Sequence, residues 1–189
     1  MIEIVSLSDA PQFADQIIDW QWRAFGEATS RAFFASVVNS SLIGADFPVT
    51  FVAVEAGRAV GTVGFWRCDL ISRQDLFPWL AALYVDESVR GKGVSEALQQ
   101  HVIAYAQAQG YPRLWLWSTF GGYYERYGWL PQGEALEYPA KPVKLYYRDL
   151  YEMPAAIAAA GNRALREPDR YNDGGSPQCL PGSLHLRSD

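Results

Sequence analysis

The chain has 189 residues, 49% of them hydrophobic and 20% charged, which is enough for one globular domain with a sizeable core and no need of a second. A formal net charge of −5 argues against a nucleic-acid binder, which would normally present a basic face, and mildly favours cationic or neutral partners. The two cysteines and two histidines, Cys68, Cys179, His101 and His185, have neither zinc-ligand spacing nor a disulfide framework, so free thiols and no metal are expected.

Met1 to Ser6 lacks a basic start followed by a long apolar run, and no later stretch approaches bilayer-spanning length. A cytoplasmic protein without a membrane partner is therefore expected. Residues 2–6 read as a first strand. Ser8-Asp9-Ala10-Pro11 carries the cap and early-proline signals of a helix that runs to about Phe25, with Phe13, Ile17, Ile18 and Trp20 at helical spacing. A second helix is expected from Thr29 to about Ile43. From Pro48 the period shortens: residues 50–55 and 59–66 are β-branched and aromatic, and Ala56-Gly57 between them reads as a hairpin turn.

Residues 77–85 form a fourth apolar strand, followed by a helix from Gly91 to about Gln109 that Gly110 closes. Residues 113–117 give the next strand, Gly122 to Tyr127 a short helix, and Trp129 to Tyr138 with Pro142 to Leu150 a closing hairpin. The expected fold is α/β (α+β), a mixed and mostly antiparallel sheet flanked by helices. After Leu150 the composition turns polar and glycine-rich. Residues 1–150 are accordingly expected to form the domain and 151–189 an extension, partly helical or disordered.

Between the fourth strand and its helix lies Val89-Arg90-Gly91-Lys92-Gly93-Val94-Ser95. Two glycines allow successive N–H groups to point outward, and the helix adds its unpaired first-turn donors and positive dipole end, so the turn suits a phosphate edged by Arg90 and Lys92. The same residues also suit a plain helix start with two solvated cations. A Walker A loop is excluded by the absence of Gly-Lys-Ser/Thr at the required spacing, and a Rossmann fingerprint by Glu96 where its third glycine belongs.

Arg90-x-x-Gly93-x-Ser95 resembles the R/Q-x-x-G-x-G/A signature of the GNAT acetyltransferase superfamily. Residues 77–85 look like that family's fourth strand, and Tyr123-Tyr124-Glu125-Arg126-Tyr127-Gly128-Trp129 looks like its F-Y-E-K-L-G-F segment. The resemblance covers roughly residues 1–150. It departs from the pattern at Ser95, and at the short link Ser118-Thr119-Phe120-Gly121-Gly122, where the family has a longer loop containing an Asn.

The resemblance implies an N-acetyltransferase that uses acetyl-CoA as cosubstrate, without a metal, and delivers the acetyl group to a small-molecule or protein amine; a homodimer stays open. Main-chain groups of Arg90, Gly91, Lys92, Gly93, Val94 and Ser95 would hold the pyrophosphate, and those of Leu83 and Val85 the extended arm. The N–H near Leu83 would face the oxyanion, and Tyr124 would act as general acid toward the departing thiolate, with Tyr123 and Tyr127 as packing aromatics. No carboxylate occurs in residues 80–84 to serve as base. Asp69 and Asp75 read as loop acids, and a water chain ending on Asp75 or Ser118 is the remaining route. Trp20, Trp22, Phe33, Trp66, Trp79 and Trp117 are mostly core by this reading. A non-catalytic CoA-binding or regulatory module is the alternative, since the phosphate turn alone does not require turnover.

Overall fold

The computed structural model describes residues 1–151. β1 (Ile2–Ser6) leads through two 3-10 turns to α1 (Ala14–Phe25) and α2 (Arg31–Ser40). β2 (Val49–Glu55), β3 (Arg58–Trp66) and β4 (Trp79–Val85) follow, then α3 (Val94–Ala108), β5 (Arg113–Ser118), β6 (Leu130–Glu137) and β7 (Lys141–Asp149). They form one seven-stranded sheet in the order β1-β2-β3-β4-β5-β7-β6, antiparallel except between β4 and β5. The expected element order and fold class hold. No helix among the described residues is long and apolar enough to cross a membrane. Of the expected extension 151–189, residues 152–189, Cys179 and His185 included, lie outside the described residues.

The helices take opposite faces because strand side chains alternate. On β2, Phe51 and Ala53 join Val94, Leu98, Val102 and Ala106 of α3, whereas Val52 packs with Ile17, Ile18, Phe34 and Val38 of α1 and α2. Trp20 and Trp79 are core, as expected. α1 begins later than its cap signals suggest: Ala10, at φ −134° and ψ 54°, separates the turns Leu7–Asp9 and Pro11–Phe13, so helical geometry starts only at Ala14. Ala56 and Gly57 both take positive φ and close the β2–β3 hairpin. Gly122 to Tyr127 contracts to a single 3-10 turn, Tyr124–Tyr127.

Ahead of β4, the loop of residues 67–78 is pinned by two indoles. Trp79 Nε1 donates to Leu76 O at 2.7 Å and Trp117 Nε1 to Asp69 O at 3.2 Å. Leu70 is buried beneath it with Trp79, Trp115, Val143 and Leu145. The loop thus sits as a fixed wall over the start of β4 and β5.

Candidate active site

Regular pairing fails on both sides of β4. Asp86 N–H donates to Val60 O at 3.0 Å, so antiparallel alternation turns the main-chain groups of Tyr84 toward β3 and those of Leu83 and Val85 away from it. Ala82 has φ +48°, and between the pairs Thr62–Tyr84 and Gly64–Ala81 the strand uses one residue more than β3 does. This is a β-bulge. On the far side, Trp79–Trp115 is the one residue pair between β4 and β5 among the described residues, with Trp115 N–H donating to Pro78 O at 3.0 Å. Beyond it the strands part. Residues 80–83 and 116–118 then face each other across a cleft of about 710 Å³.

The side chains of Leu83 and Val85 pack against the α3 core while their backbone is turned to the open edge, so structural and binding roles coexist in the same residues. At the C-terminal end of β4 the chain enters the glycine turn. Gly91 and Gly93 have φ +78° and +79°, and a side-chain carbon added at either would meet nothing within 4 Å. It is the backbone angle that calls for glycine there, and the space in front of the turn is free. Gly93 caps α3 without a side-chain hydrogen bond, and the first helical bond runs from Ala97 N–H to Gly93 O at 3.0 Å. The N–H groups of Val94, Ser95 and Glu96 therefore stand as the helix's unpaired donors.

Arg90 Nε donates to Val85 O at 3.1 Å and its guanidinium reaches Glu87 Oε1 at 3.4 Å, so the side chain braces the turn. The cause is local: the Val85 carbonyl, released from the β3 ladder, is an acceptor within reach. Lys92 is exposed, and Ser95, the departure from the family signature, bonds Tyr123 Oη at 2.6 Å. Gln99 Nε2 donates to the same Ser95 Oγ at 3.3 Å and Gln99 Oε1 accepts from Trp129 Nε1 at 2.9 Å. Tyr123 is thus a member of a polar relay as well as a packing aromatic.

Tyr124 and Leu83 share the cleft. The Tyr124 ring lies parallel to Phe120 with centroids 6.3 Å apart and edge-on to Tyr123 at 5.0 Å, and its hydroxyl has no hydrogen bond among the described residues. Burial first, and then the neighbouring Tyr123, Asp69 and Tyr146, push the phenol well above its ordinary pKa. The group stays protonated across the physiological range. As a neutral phenol it can donate a hydrogen bond to a thiolate, and the raised pKa makes full proton transfer from it harder.

The acids sort differently from the sequence reading. Asp75 is exposed, sits 2.8 Å from Arg73 Nη2, and has its carboxyl held below the usual range by that partner. It does not line the cleft. Ser118 does, with its Oγ accepting from Phe120 N–H at 3.2 Å. So does Asp69, whose carboxyl is pushed up to about 7 by desolvation, opposed by the Trp117 indole and reinforced by Glu137. Glu137 and Lys141, 3.4 Å apart, are cleft residues that sequence reasoning missed; the register of the β6–β7 hairpin brings them there. Phe33, Trp66 and Trp117 also line the cleft and are not core.

Asp69 carries a stability signature. Its folded-state pKa lies above the unfolded value, so between pH 3.8 and about 7 the folded chain keeps a proton that the unfolded chain releases. The contribution is present below that window and is lost as pH rises through it. Asp69→Asn is expected to flatten this slope, with the variant's melting temperature matching the wild type near pH 4 and exceeding it at pH 8. Thermal melts across pH check this; parallel curves would mean that Asp69 is solvated.

Over residues 14–129 the sequence matches the model of the Acetyltransferase (GNAT) family. The chain belongs to the GNAT family. No curated protein matches it by sequence. Solved GNAT structures share its fold at low identity. An aminoglycoside 6'-N-acetyltransferase complexed with coenzyme A is 15% identical, with TM-score 0.62 over 80% of this chain and 99% of that one. The ribosomal-protein-S18-alanine N-acetyltransferase of Escherichia coli is 18% identical, with TM-score 0.60 over 82% and 97%. An N-acetyltransferase from Staphylococcus aureus Mu50 is 17% identical, with TM-score 0.60 over 80% and 99%. The parted β4 and β5, the bulge and the glycine turn thus stand in a GNAT fold.

Proposed function

We propose that this GNAT protein transfers an acetyl group from acetyl-CoA to a primary amine by direct attack. The observation that carries the reading is the open main-chain edge of β4, which runs from the bulge at Ala82 to the unpaired donors of the glycine turn. Such an edge suits an extended amide-bearing arm that binds as an added strand, with its anionic end at a helix N-terminus. The residues present fit acetyl-CoA in this sense: Leu83 offers its backbone groups and Val85 its N–H to the arm, and Arg90 to Ser95 offer the turn's N–H groups to the pyrophosphate. When bound, acetyl-CoA supplies an activated thioester.

Around that thioester the chain's own groups take distinct roles. A main-chain N–H near Leu83, beside the bulge, stabilises the charge developing on the carbonyl oxygen. Tyr124 donates a hydrogen bond to the sulfur that carries the departing electron pair. Because its phenol is neutral at working pH, it adds no competing negative charge. The splayed strands give the amine a way in from the side opposite the arm.

The fold neighbours act on quite different amines, as their names state, so they do not choose the acceptor. The test is release of free thiol when the full chain is mixed with acetyl-CoA and a panel of primary amines, with the acetylated product identified by mass. Thiol release tied to one amine class supports the reading. A melting temperature raised by acetyl-CoA, with no thiol released for any amine, would instead favour a non-catalytic CoA-binding module.

A further inference from the structure

Five exposed apolar side chains gather at the mouth of this cleft: Phe25 and Phe33 from the α1–α2 side, Ile71 from the loop before β4, Phe120 after β5, and Tyr138 in the β6–β7 turn. Phe33 is 62% exposed and Tyr138 87% exposed. Large apolar groups left in water around a concavity, and not scattered singly, mark a surface built to be covered. The acids of the same cleft are few. Glu137 is already paired with Lys141 at 3.4 Å, whereas Asp69 has no ion pair among the described residues. The cleft therefore offers one uncommitted carboxylate inside an aromatic surround.

We propose that the acceptor is a small monoamine whose single ammonium group is attached to an aromatic or otherwise apolar body, and that Asp69 binds this ammonium and takes its proton. The inference rests on the acetyl-transfer reading and names its substrate class. A polyamine or an aminoglycoside carries several cations, each of which would need a carboxylate or water, and the rim provides phenyl rings instead. A lone ammonium finds its counter-charge in Asp69, its body covers the rim, and the aromatic faces add cation–π attraction. The loop that presents Asp69 is fixed by Trp117 and Trp79, so the carboxylate is held in place before the amine arrives.

The proton balance is complete with groups on hand. Asp69, as carboxylate, removes one proton from the ammonium and later returns it to solvent. The free amine nitrogen then attacks the thioester carbonyl carbon, forming the C–N bond while the C–S bond breaks and its electron pair leaves on sulfur. The second proton lost by the nitrogen goes to the thiolate, which Tyr124 holds by hydrogen bonding. The groups that face Asp69 and tune it are Glu137 from the β6–β7 hairpin, Trp117 from β5, and Tyr124, while Lys141 lines the same cleft paired with Glu137.

The experiment compares 2-phenylethylamine, spermidine, kanamycin and a lysine-containing peptide as acceptors for the full chain at saturating acetyl-CoA. The expected kcat/KM favours 2-phenylethylamine on the order of 10²-fold over spermidine, the scale of burying one ring. Phe33→Ala should raise its KM about tenfold while the calorimetric Kd for acetyl-CoA stays put. In the wild type, kcat/KM should climb with pH and level off above about 7, once Asp69 is ionised. In Asp69→Asn that plateau should vanish, so that the rate keeps climbing toward the amine's own pKa. Preference for spermidine, kanamycin or the peptide, or an unchanged pH profile in Asp69→Asn, overturns the inference and leaves acetyl transfer standing. Bound acetyl-CoA with no thiol release for any of the four overturns both.

Discussion

Tyr124→Phe is expected to reduce kcat on the order of 10²-fold while the KM for acetyl-CoA moves little, within the roughly 10²–10⁴-fold range that proton donation contributes. The substitution is unusually clean here. The ring packs against Phe120, Trp129 and Tyr146 with centroids 6.0 to 6.4 Å away, and Phe keeps those contacts. The hydroxyl bonds nothing else among the described residues, so its removal leaves no partner stranded. A donor to a leaving thiolate acts mainly in the transition state, which is why kcat carries the loss. Steady-state kinetics with matched melting curves test this. Undiminished turnover in a folded variant would mean that water or another group meets the thiolate.

The second large effect is expected at the glycine turn. Gly93→Asp should weaken acetyl-CoA binding by about 10²-fold or more, because it sets a carboxylate among the N–H groups that would hold the pyrophosphate and reverses the local field. Aspartate tolerates a left-handed backbone better than most residues, and a side chain at Gly93 meets nothing within 4 Å, so the fold should survive. Calorimetry of wild type and variant measures the loss directly. Equal affinity would remove the pyrophosphate from this turn. Gly93→Ala separates the causes: it carries the backbone strain without the charge and should bind with intermediate affinity.

What the sequence made legible follows from range. Helices and strands announce themselves through period, so element order could be read. The glycine turn is equally local, and both its glycines take the positive φ that suits them. Boundaries were less legible: Ala10 interrupts the lead into α1 although Ser8 and Pro11 look like helix-start signals. The cleft was illegible because it is assembled from afar. Asp69 and Glu137 come from different ends of the domain, and only the sheet order, with β7 between β5 and β6, sets the hairpin's turn beside the loop. The bond from Arg90 to the Val85 carbonyl was illegible too, since it depends on the strand's pairing with β3 and not on the local sequence.

The single backbone bridge at Trp79–Trp115 has a mechanical consequence. The sheet is two half-sheets, β1 to β4 and β5 to β7, stitched at one end and open like a partly closed zip. Whatever hydrogen-bonds along β4 in that opening replaces missing stitches, so occupancy and cohesion rise together. Within β4, amide exchange should then be faster at Leu83 and Val85 than at Tyr84 in the free protein and slow when the opening is filled. A ligand seated in the seam would thereby make it a built-in gauge of loading.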